Sequence, residues 1–313
     1  MKNTKDRAKK ITTNVARYVF LLAFSYVLLY PLIFMISSSF QSASDFFDPT
    51  VEWIPKNPVF TNFALSFKAM EFDVSFVNTL IYEILAAVLE IASCAVAAYG
   101  LARFKFKGKG ILNVFMLLTI LVPTTMIIIP SYINFAYLDF LGILKVIGNL
   151  VGANIRPNVL DTPFVMWLPS LFGVGLKGGL FIYIYKQFFQ GLPKEFEEAA
   201  WIDGAGPVKT FLSVIIPSST VPIVTVTMFA VVWHWNDYYL AQMYLSENLP
   251  LSVKLASVDS LITSALYGAA SAKTIMGPAI MAACLMMVMP LIVFYLILQR
   301  RFIASIANSG IVG

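Results

Sequence analysis

The sequence predicts an all-α polytopic membrane protein that crosses the bilayer with six transmembrane helices. Of its 313 residues, 59% are hydrophobic and only 12% are charged, whereas soluble domains have roughly 45–50% apolar and about 25% charged residues. The apolar residues form long, nearly continuous runs rich in Leu, Ile, Ala and Met, and a spanning helix needs about 20 such residues. Strands of an outer-membrane barrel would instead appear as short alternating segments.

Six apolar runs are long enough to be spans. The first follows a basic start and is too long for the apolar region of a signal peptide, so we expect it to be retained. The third contains Pro123 and Pro130, which remove backbone donors and bend a helix. The predicted spans are Tyr18 to Phe40, Phe76 to Leu101, Ile111 to Tyr137, Phe164 to Tyr185, Val214 to Trp235 and Met276 to Leu298.

The distribution of basic residues predicts that both termini are cytoplasmic. Fifteen of the 22 lysine and arginine residues lie in segments 1–17, 103–109, 186–209 and 299–313, and cytoplasmic segments of membrane proteins carry such an excess. We therefore divide the chain into a basic N-terminus (1–17), one membrane domain (18–298) and a C-terminal tail (299–313). The net charge of +5 and the basic turn from Arg103 to Lys109 are interpreted as topology signals, so we expect no nucleic-acid binding.

Several kinds of active site are excluded. The single histidine, His234, and the two cysteines, Cys94 and Cys284, all lie in apolar runs, so no His/Cys metal cluster can form. The sequence has no G-x-x-x-x-G-K-[ST] motif, so the chain cannot hydrolyse ATP through a P-loop of its own. We expect no catalytic residue, no metal ligand and no bound cofactor.

The segment 186–209 predicts a short helix and a turn outside the membrane. Pro193 suits the start of a helix, the acidic residues that follow favour the positive end of the helix dipole, and Ala199 and Ala200 are strong helix formers. Gly204 and Gly206 permit a sharp reversal. Phe196, Ala199, Ala200 and Ile202 can form an apolar ridge, which predicts a docking helix.

This segment resembles the EAA loop of ABC-importer permeases. Glu198-Ala199-Ala200 is followed after three residues by Gly204, and after nine more by Val214-x-Ile216-Pro217, whereas the family pattern is EAA-x3-G-x9-I-x-L-P. Other stretches are similar to the carbohydrate-type permeases that resemble the smaller maltose-system subunit. They are Asn78-Thr79-Leu80, Ala98 to Phe104, Val122-Pro123 to Tyr132, Trp235-Asn236-Asp237 and Pro290 to Phe302.

The resemblance implies a type I ABC importer permease fold in the bacterial cytoplasmic (inner) membrane. It implies a permease that imports a saccharide, with an oligosaccharide as our expectation, beside a second, different permease subunit. The other implied partners are an ATPase dimer, which uses ATP and Mg, an extracellular sugar-binding lipoprotein or periplasmic binding protein, and membrane lipid. The implied ATPase-coupling residues are Glu198, Ala199, Ala200, Asp203, Gly204, Gly206 and Pro217.

Two departures from the family pattern bear on these expectations. The tail ends Gly310-Ile311-Val312-Gly313, where the family has Gly-x-x-Lys-Gly, so a tail contact through that lysine is not expected here. The segment 146–176 is longer than the family norm. It is a candidate for an extra external or interfacial element that touches the binding protein or the other permease.

Polar residues within the spans are candidates for the translocation path. Glu83 and Glu90 lie seven residues apart, on one face of the second span, and acids in a membrane are costly unless they pair or line water. They either line a polar path or make hydrogen bonds between helices, and no lysine or arginine lies at matching depth. Asn78, Trp235 and Asn236 complete the candidate path.

His234 and four glycines within or near the spans are interpreted as follows. His234, between two tryptophans, either contacts sugar or belongs to an interfacial anchor. The glycines at 173, 175, 178 and 179 are expected to permit close helix packing.

Two other functions remain open at this point. A secondary transporter or channel that works alone would use Glu83 and Glu90 and would usually show an inverted repeat, which we do not see. An enzyme within the membrane would need clustered His, Asp or Cys side chains, and the chain has one histidine.

Overall fold

A computed structural model describes residues 2–51, 53–139, 142–265 and 272–309. Over these residues the chain is helical and contains no strand, so the predicted all-α class is confirmed. Glu52, in the predicted external loop, and the tail residues 310–313 lie outside the described residues.

Eighteen α-helices are assigned in the described part of the chain. Two π-helical turns, Leu80–Ile84 and Phe211–Ile215, join successive helices. The helices are α1 Lys2–Ser39, α2 Ala43–Phe47, α3 Thr61–Ala69, α4 Phe72–Thr79, α5 Leu85–Arg103, α6 Lys109–Leu121, α7 Thr124–Ala136, α8 Ile143–Val151, α9 Phe164–Leu171, α10 Gly178–Gly191, α11 Glu195–Ile202, α12 Pro207–Thr210, α13 Ile216–Ser218, α14 Thr220–Trp235, α15 Tyr239–Tyr244, α16 Leu251–Ala256, α17 Val258–Ala265 and α18 Ala272–Ser309.

Three described helical segments are long and apolar enough to cross a membrane: Lys10–Ser39, Phe72–Arg103 and Met276–Arg300. Two bent pairs raise the number to five if each is one span. The pair α6 and α7 bends by 106° at Pro123, where we predicted a bend, and the pair Pro207–Ser218 and Thr220–Trp235 bends by 81°. These five segments overlap the predicted first, second, third, fifth and sixth spans.

The predicted fourth span, Phe164 to Tyr185, is not one continuous helix. α9 ends at Leu171 and α10 begins at Gly178. The physical reason lies in the residues between them: Gly173 and Lys177 both adopt left-handed backbone conformations, with φ of 69°, which a right-handed helix cannot accommodate.

The chain divides into two compact units, the first of which comprises residues up to 70 together with 257–288. Buried side chains tie its segments to each other. Asn62 Nδ2 donates to the carbonyl oxygens of Ser39 and Gln41, each at 2.9 Å. Ser66 Oγ lies 2.6 Å from the carbonyl oxygen of Ala279 and donates to it, which fixes α3 against α18.

The second unit comprises residues 71–256 and those from 289 onward. Its main core joins α5, α10 and α14. α5 contributes mostly small side chains, whereas α10 contributes aromatic rings at a four-residue spacing, Phe181, Tyr185 and Phe189, all fully buried. Small residues on one helix allow the bulky residues of another to approach closely. The α5 and α14 members are Ala87, Cys94, Ala95, Ala98, Tyr99, Val226 and Ala230.

A polar junction joins two loops of this second unit. Asp161, which has a left-handed backbone with φ of 59°, accepts hydrogen bonds from the backbone amides of Ser246 and Glu247 and from the Ser246 hydroxyl. Burial raises the pKa of Asp161, but these hydrogen bonds to the carboxylate outweigh it and hold the pKa below its ordinary value.

Candidate functional site

The predicted coupling segment forms a short helix followed by a sharp turn. α11 runs from Glu195 to Ile202, and Ala205 N then donates to the carbonyl oxygen of Ala200 at 2.9 Å. This closure of the helix requires the left-handed φ of 79° at Gly204, which glycine adopts without steric cost. The helix and the turn thus lie where the sequence predicts them.

Most of the residues predicted to couple to an ATPase are exposed. Of the predicted apolar ridge, Phe196 is exposed to 49% and Ile202 to 87%. Trp201, which that prediction did not include, is exposed to 50%. Of the predicted coupling residues, Ala200 is half-buried, and the exposed ones are Glu198, Ala199, Asp203, Gly204, Gly206 and Pro217.

The inner side of α11 is anchored to the end of α5 by an ion pair. Arg103 Nε lies 3.0 Å from Glu197 Oε1, and the two side chains are only 9% and 5% exposed. Arg103 Nη2 also donates to the carbonyl oxygen of Leu192 at 2.9 Å. Interpreting the basic turn as a topology signal therefore missed a structural role of its first residue.

Aromatic rings pack on α5 one turn before Arg103. Tyr99 of α5 packs on Phe211 with ring centroids 4.9 Å apart and on Phe189 with centroids 6.1 Å apart. Phe189 lies near the end of α10, before α11, and Phe211 directly follows α12. The chain on both sides of α11 therefore packs on the same residue of α5.

The second span carries a buried cluster of two glutamates and one histidine. His234 of α14 lies with Nδ1 3.1 Å from Glu83 Oε2 and with Nε2 2.7 Å from Glu90 Oε2. Both glutamates are fully buried and the histidine is 2% exposed. The two acids share a face, as predicted, and both contact the single histidine of the chain rather than a lysine or an arginine. His234 itself does not lie at a surface of this chain.

The glycine-rich connection between α9 and α10 makes room for this cluster. A Cβ atom at Gly175 would lie 3.0 Å from Glu90 Oε1, and one at Gly178 would lie 2.9 Å from the same atom. These two glycines therefore allow the backbone to approach a carboxylate, in addition to the close packing that we predicted.

Several polar atoms around the cluster have no hydrogen-bond partner within the described structure. They are Oε1 of Glu83, Oε1 of Glu90, Oγ of Ser170 and Oδ2 of Asp237. A cavity of about 800 Å³ lies beside them, with His234 and Asp237 in its wall and mostly apolar side chains elsewhere. Buried polar groups next to such a space can bind water or a polar ligand.

None of the five predicted path residues lines this cavity. Asn78 makes a long 3.4 Å hydrogen bond to the carbonyl oxygen of Leu249, and Trp235 is buried against Phe76. Asn236 is exposed and donates to the carbonyl oxygen of Val232 at 2.8 Å, which caps the end of α14. The structure thus brings Glu83 and Glu90 together and leaves the other three apart from them.

Among the described residues, no group of three or more His, Cys, Asp and Glu side chains is arranged to hold a metal ion. The sequence analysis missed two participants, His234 as the partner of both acids and Arg103 as the anchor of α11. Two acids on one face of a span, in a chain with a single histidine, were the available signal for the first.

Several known proteins are similar to this chain over almost its whole length. The trehalose transport system permease protein SugB of Mycobacterium tuberculosis is 28% identical, over 93% of this chain and 95% of that protein. The maltodextrin transport system permease protein MdxG of Bacillus subtilis is 26% identical over 97% and 98%, and the melibiose/raffinose/stachyose import permease protein MelC of the same species is 25% identical over the full length of both.

The fold is also similar to a solved structure. A chain from the crystal structure of a bacterial ABC transporter involved in the import of the acidic polysaccharide alginate matches with a TM-score of 0.70 and 22% identity, over 92% of this chain and 96% of that one. The family model for the inner membrane component of binding-protein-dependent transport systems matches residues 92–308, a range that includes α11 and His234. The chain therefore belongs to this family of ABC transporter permease subunits, and it is an integral membrane protein.

Proposed function

We propose that this chain is the permease subunit of an ATP-driven importer of saccharides and that it couples to a separate ATPase through α11. The observation that carries the coupling is the exposure of three large apolar side chains, Phe196, Trp201 and Ile202, on a helix that lies outside the candidate spans. Large apolar side chains exposed together on one short helix mark an interaction site. The acidic residues Glu195 and Glu198 on the same helix favour a protein partner over anionic lipid headgroups.

The remaining partners and the cargo follow from the family. A second, different permease would complete the translocation path, and an extracellular sugar-binding protein would deliver the cargo. ATP and Mg would be bound by the partner ATPase dimer, and both termini of this chain would be cytoplasmic. Relatives named for trehalose, maltodextrin and melibiose/raffinose/stachyose support a saccharide, and two of these names support an oligosaccharide.

In the proposed mechanism, ATP closes the ATPase dimer and moves the docked α11. Because two conformations of the permease differ in how α11 meets the ATPase, ATP binding shifts the population between inward-open and outward-open states. This chain would supply the docking surface and part of the path, and the chemistry of hydrolysis would take place on the partner.

Co-purification tests this proposal. The chain is expressed with candidate permease and ATPase subunits, and wild type is compared with the double variant Glu198→Ala, Ile202→Asp. Both side chains are exposed, so these changes spare the packing of the chain. The control is Glu247→Ala, Tyr239→Asp, which likewise removes one glutamate and replaces one large exposed side chain with aspartate, on the opposite, predicted external side.

We expect the ATPase to co-purify with wild type and with the control and to be lost from the double variant. Sugar uptake should follow the same order, and competition among mono-, di- and oligosaccharides would then define the cargo. If no candidate ATPase associates with wild type while uptake continues without ATP, the proposal is wrong.

A further inference from the structure

Between Leu138 and Pro157 lies a helix, α8, that exposes an apolar stripe. The two ends of this stretch are joined by a backbone hydrogen bond from Leu138 N to the carbonyl oxygen of Pro157, at 2.9 Å. Within it, α8 runs from Ile143 to Val151 between Gly142 and Gly152, both left-handed. Nothing in the proposed coupling mechanism uses this element.

One face of α8 consists only of aliphatic side chains, and all of them are exposed. They follow the i, i+3, i+4, i+7, i+8 spacing of a single helical stripe. Their exposed fractions are Ile143 51%, Val146 60%, Ile147 42%, Leu150 82% and Val151 69%. An exposed stripe of this kind on a protein that already spans a membrane requires an apolar environment.

The opposite face of α8 is polar and basic. Lys145 and Asn149 lie there, and with Asn154 and Arg156 they line a second cavity of about 430 Å³. The one acid of the segment, Asp139, is occupied as a helix cap: its two carboxylate oxygens accept from the backbone amides of residues 144 and 145 at 2.8 and 3.0 Å. The free charge of this face is therefore positive.

Along the chain, α8 lies close to the end of a candidate membrane span. α7, the second half of a candidate span, ends at Ala136, and the six residues before Ile143 reach at most about 20 Å. Tyr137, at the end of α7, packs under the Arg156 guanidinium, whose Cζ lies 5.0 Å from the ring centroid. Aromatic and basic side chains are typical anchors at a membrane interface.

We propose that α8 lies in the membrane interface, with its aliphatic stripe among the acyl chains and with Lys145 and Arg156 bound to phosphates of phospholipid headgroups. The composition favours lipid over a protein partner, because the stripe has none of the aromatic or arginine side chains that dominate protein interfaces. A helix with an aliphatic face and a basic polar face is the pattern of interfacial anchors.

Depth-dependent quenching tests the proposal in the full-length chain. With Cys94 and Cys284 replaced by alanine, a single cysteine at Leu150 or at Asn149 carries an environment-sensitive fluorophore. Both positions are exposed; Leu150 lies at the centre of the aliphatic stripe, and Asn149 lies outside the stripe, on the side of Lys145. The protein is reconstituted into phosphatidylcholine vesicles with or without lipid that carries a shallow nitroxide quencher.

We expect the quencher to remove about half of the emission at position 150 and little at position 149, because interfacial helices bury their apolar face about 5–10 Å deep. Equal quenching at the two positions would contradict the proposal. So would a label at 150 that is shielded only after the partner permease or the binding protein is added. Neither outcome depends on ATPase coupling. This inference can therefore be refuted while the proposed function holds, and the reverse is also true.

The phosphate contacts have their own test. Lys145→Gln with Arg156→Gln should reduce the quenching at position 150, whereas Lys68→Gln, which removes an exposed charge elsewhere, should leave it unchanged. Inorganic phosphate in the buffer should have no effect if the ligands are lipid headgroups. Unchanged quenching in the double variant, or competition by free phosphate, would overturn the assignment of these two residues.

Discussion

Replacing Arg103 with alanine should release α11 from the end of α5. In the folded chain Arg103 donates to Glu197 at 3.0 Å and to the carbonyl oxygen of Leu192 at 2.9 Å, and both charged side chains are more than nine-tenths buried. The variant leaves Glu197 buried without a counter-charge. The carboxylate is relieved either by taking up a proton or by movement of the helix that lets water reach it, and the second route opens α11.

The size of the effect follows from the burial of the pair. Removing one partner of a buried ion pair costs about 3–5 kcal/mol, and each 1.4 kcal/mol is about a tenfold change in an equilibrium constant. The opening equilibrium of α11 should therefore rise by roughly a hundredfold to a few thousandfold. Arg103→Lys keeps the charge but not the forked geometry that reaches two acceptors, so we expect a smaller rise, on the order of tenfold.

Hydrogen exchange measures this opening directly. Peptides that cover 192–206 are followed by mass spectrometry in the purified full-length chain, with Lys105→Ala as the control. Lys105 lies two residues from Arg103 and is exposed, so its removal changes the net charge of the turn equally without touching the pair. Protection of 192–206 should fall in Arg103→Ala and stay at the wild-type level in the control.

A double variant separates charge from packing. In Arg103→Leu with Glu197→Leu, no buried charge is left unpaired, and such replacements are often neutral or stabilising. Exchange in 192–206 should return towards the wild-type rate. If Arg103→Ala leaves this exchange unchanged, or if the double variant is as open as the single one, the ion pair does not hold α11 in place.

Three further changes test the buried site and the loop junction. His234→Phe should lower the melting temperature of the purified chain by several degrees, because it leaves two fully buried glutamates without their partner, and replacing both acids with glutamine in that background should restore part of the loss. Gly178→Ala should also lower the melting temperature, since its Cβ would lie 2.9 Å from Glu90 Oε1, whereas Gly191→Ala, which meets nothing within 4 Å, should not. The Asp161 contact should be present at neutral pH and lost as the pH falls through the lowered pKa of this carboxyl. Exchange at residues 245–249, corrected for its intrinsic pH dependence, should therefore rise on acidification in wild type, whereas Asp161→Asn should show the raised exchange already at neutral pH.

The sequence predicts this fold well where a single local signal decides the structure. Long apolar runs place the helices, Pro123 marks the bend between α6 and α7, and Gly204 marks the reversal after α11. The bend of 81° before α14 and the break before α10 were not predicted. In the second case the left-handed residues Gly173 and Lys177 interrupt the helix within a stretch that is continuous by hydropathy alone.

The candidate site was predicted in part, because periodicity reports which residues share a face but not what lies opposite that face. The seven-residue spacing of Glu83 and Glu90 was sufficient to place them on the same face of the helix. Their partner His234 is 144 residues from the nearer acid, and Arg103 is 94 residues from Glu197. Contacts over such separations depend on how the helices pack, and one sequence does not contain that information.

The packing of α5 explains why we expect the contact of Glu90 with His234 and that of Arg103 with Glu197 to move together. Its small side chains, among them Ala95 and Ala98, allow the fully buried rings of α10 to pack directly against it, and α14 joins the same core. Close-packed interiors move as units rather than deform. Because α5 carries Glu90 in its first third and Arg103 at its end, we expect a displacement of α11 to move the glutamate–histidine cluster as well, by rotation of the whole packed group rather than by bending of one helix.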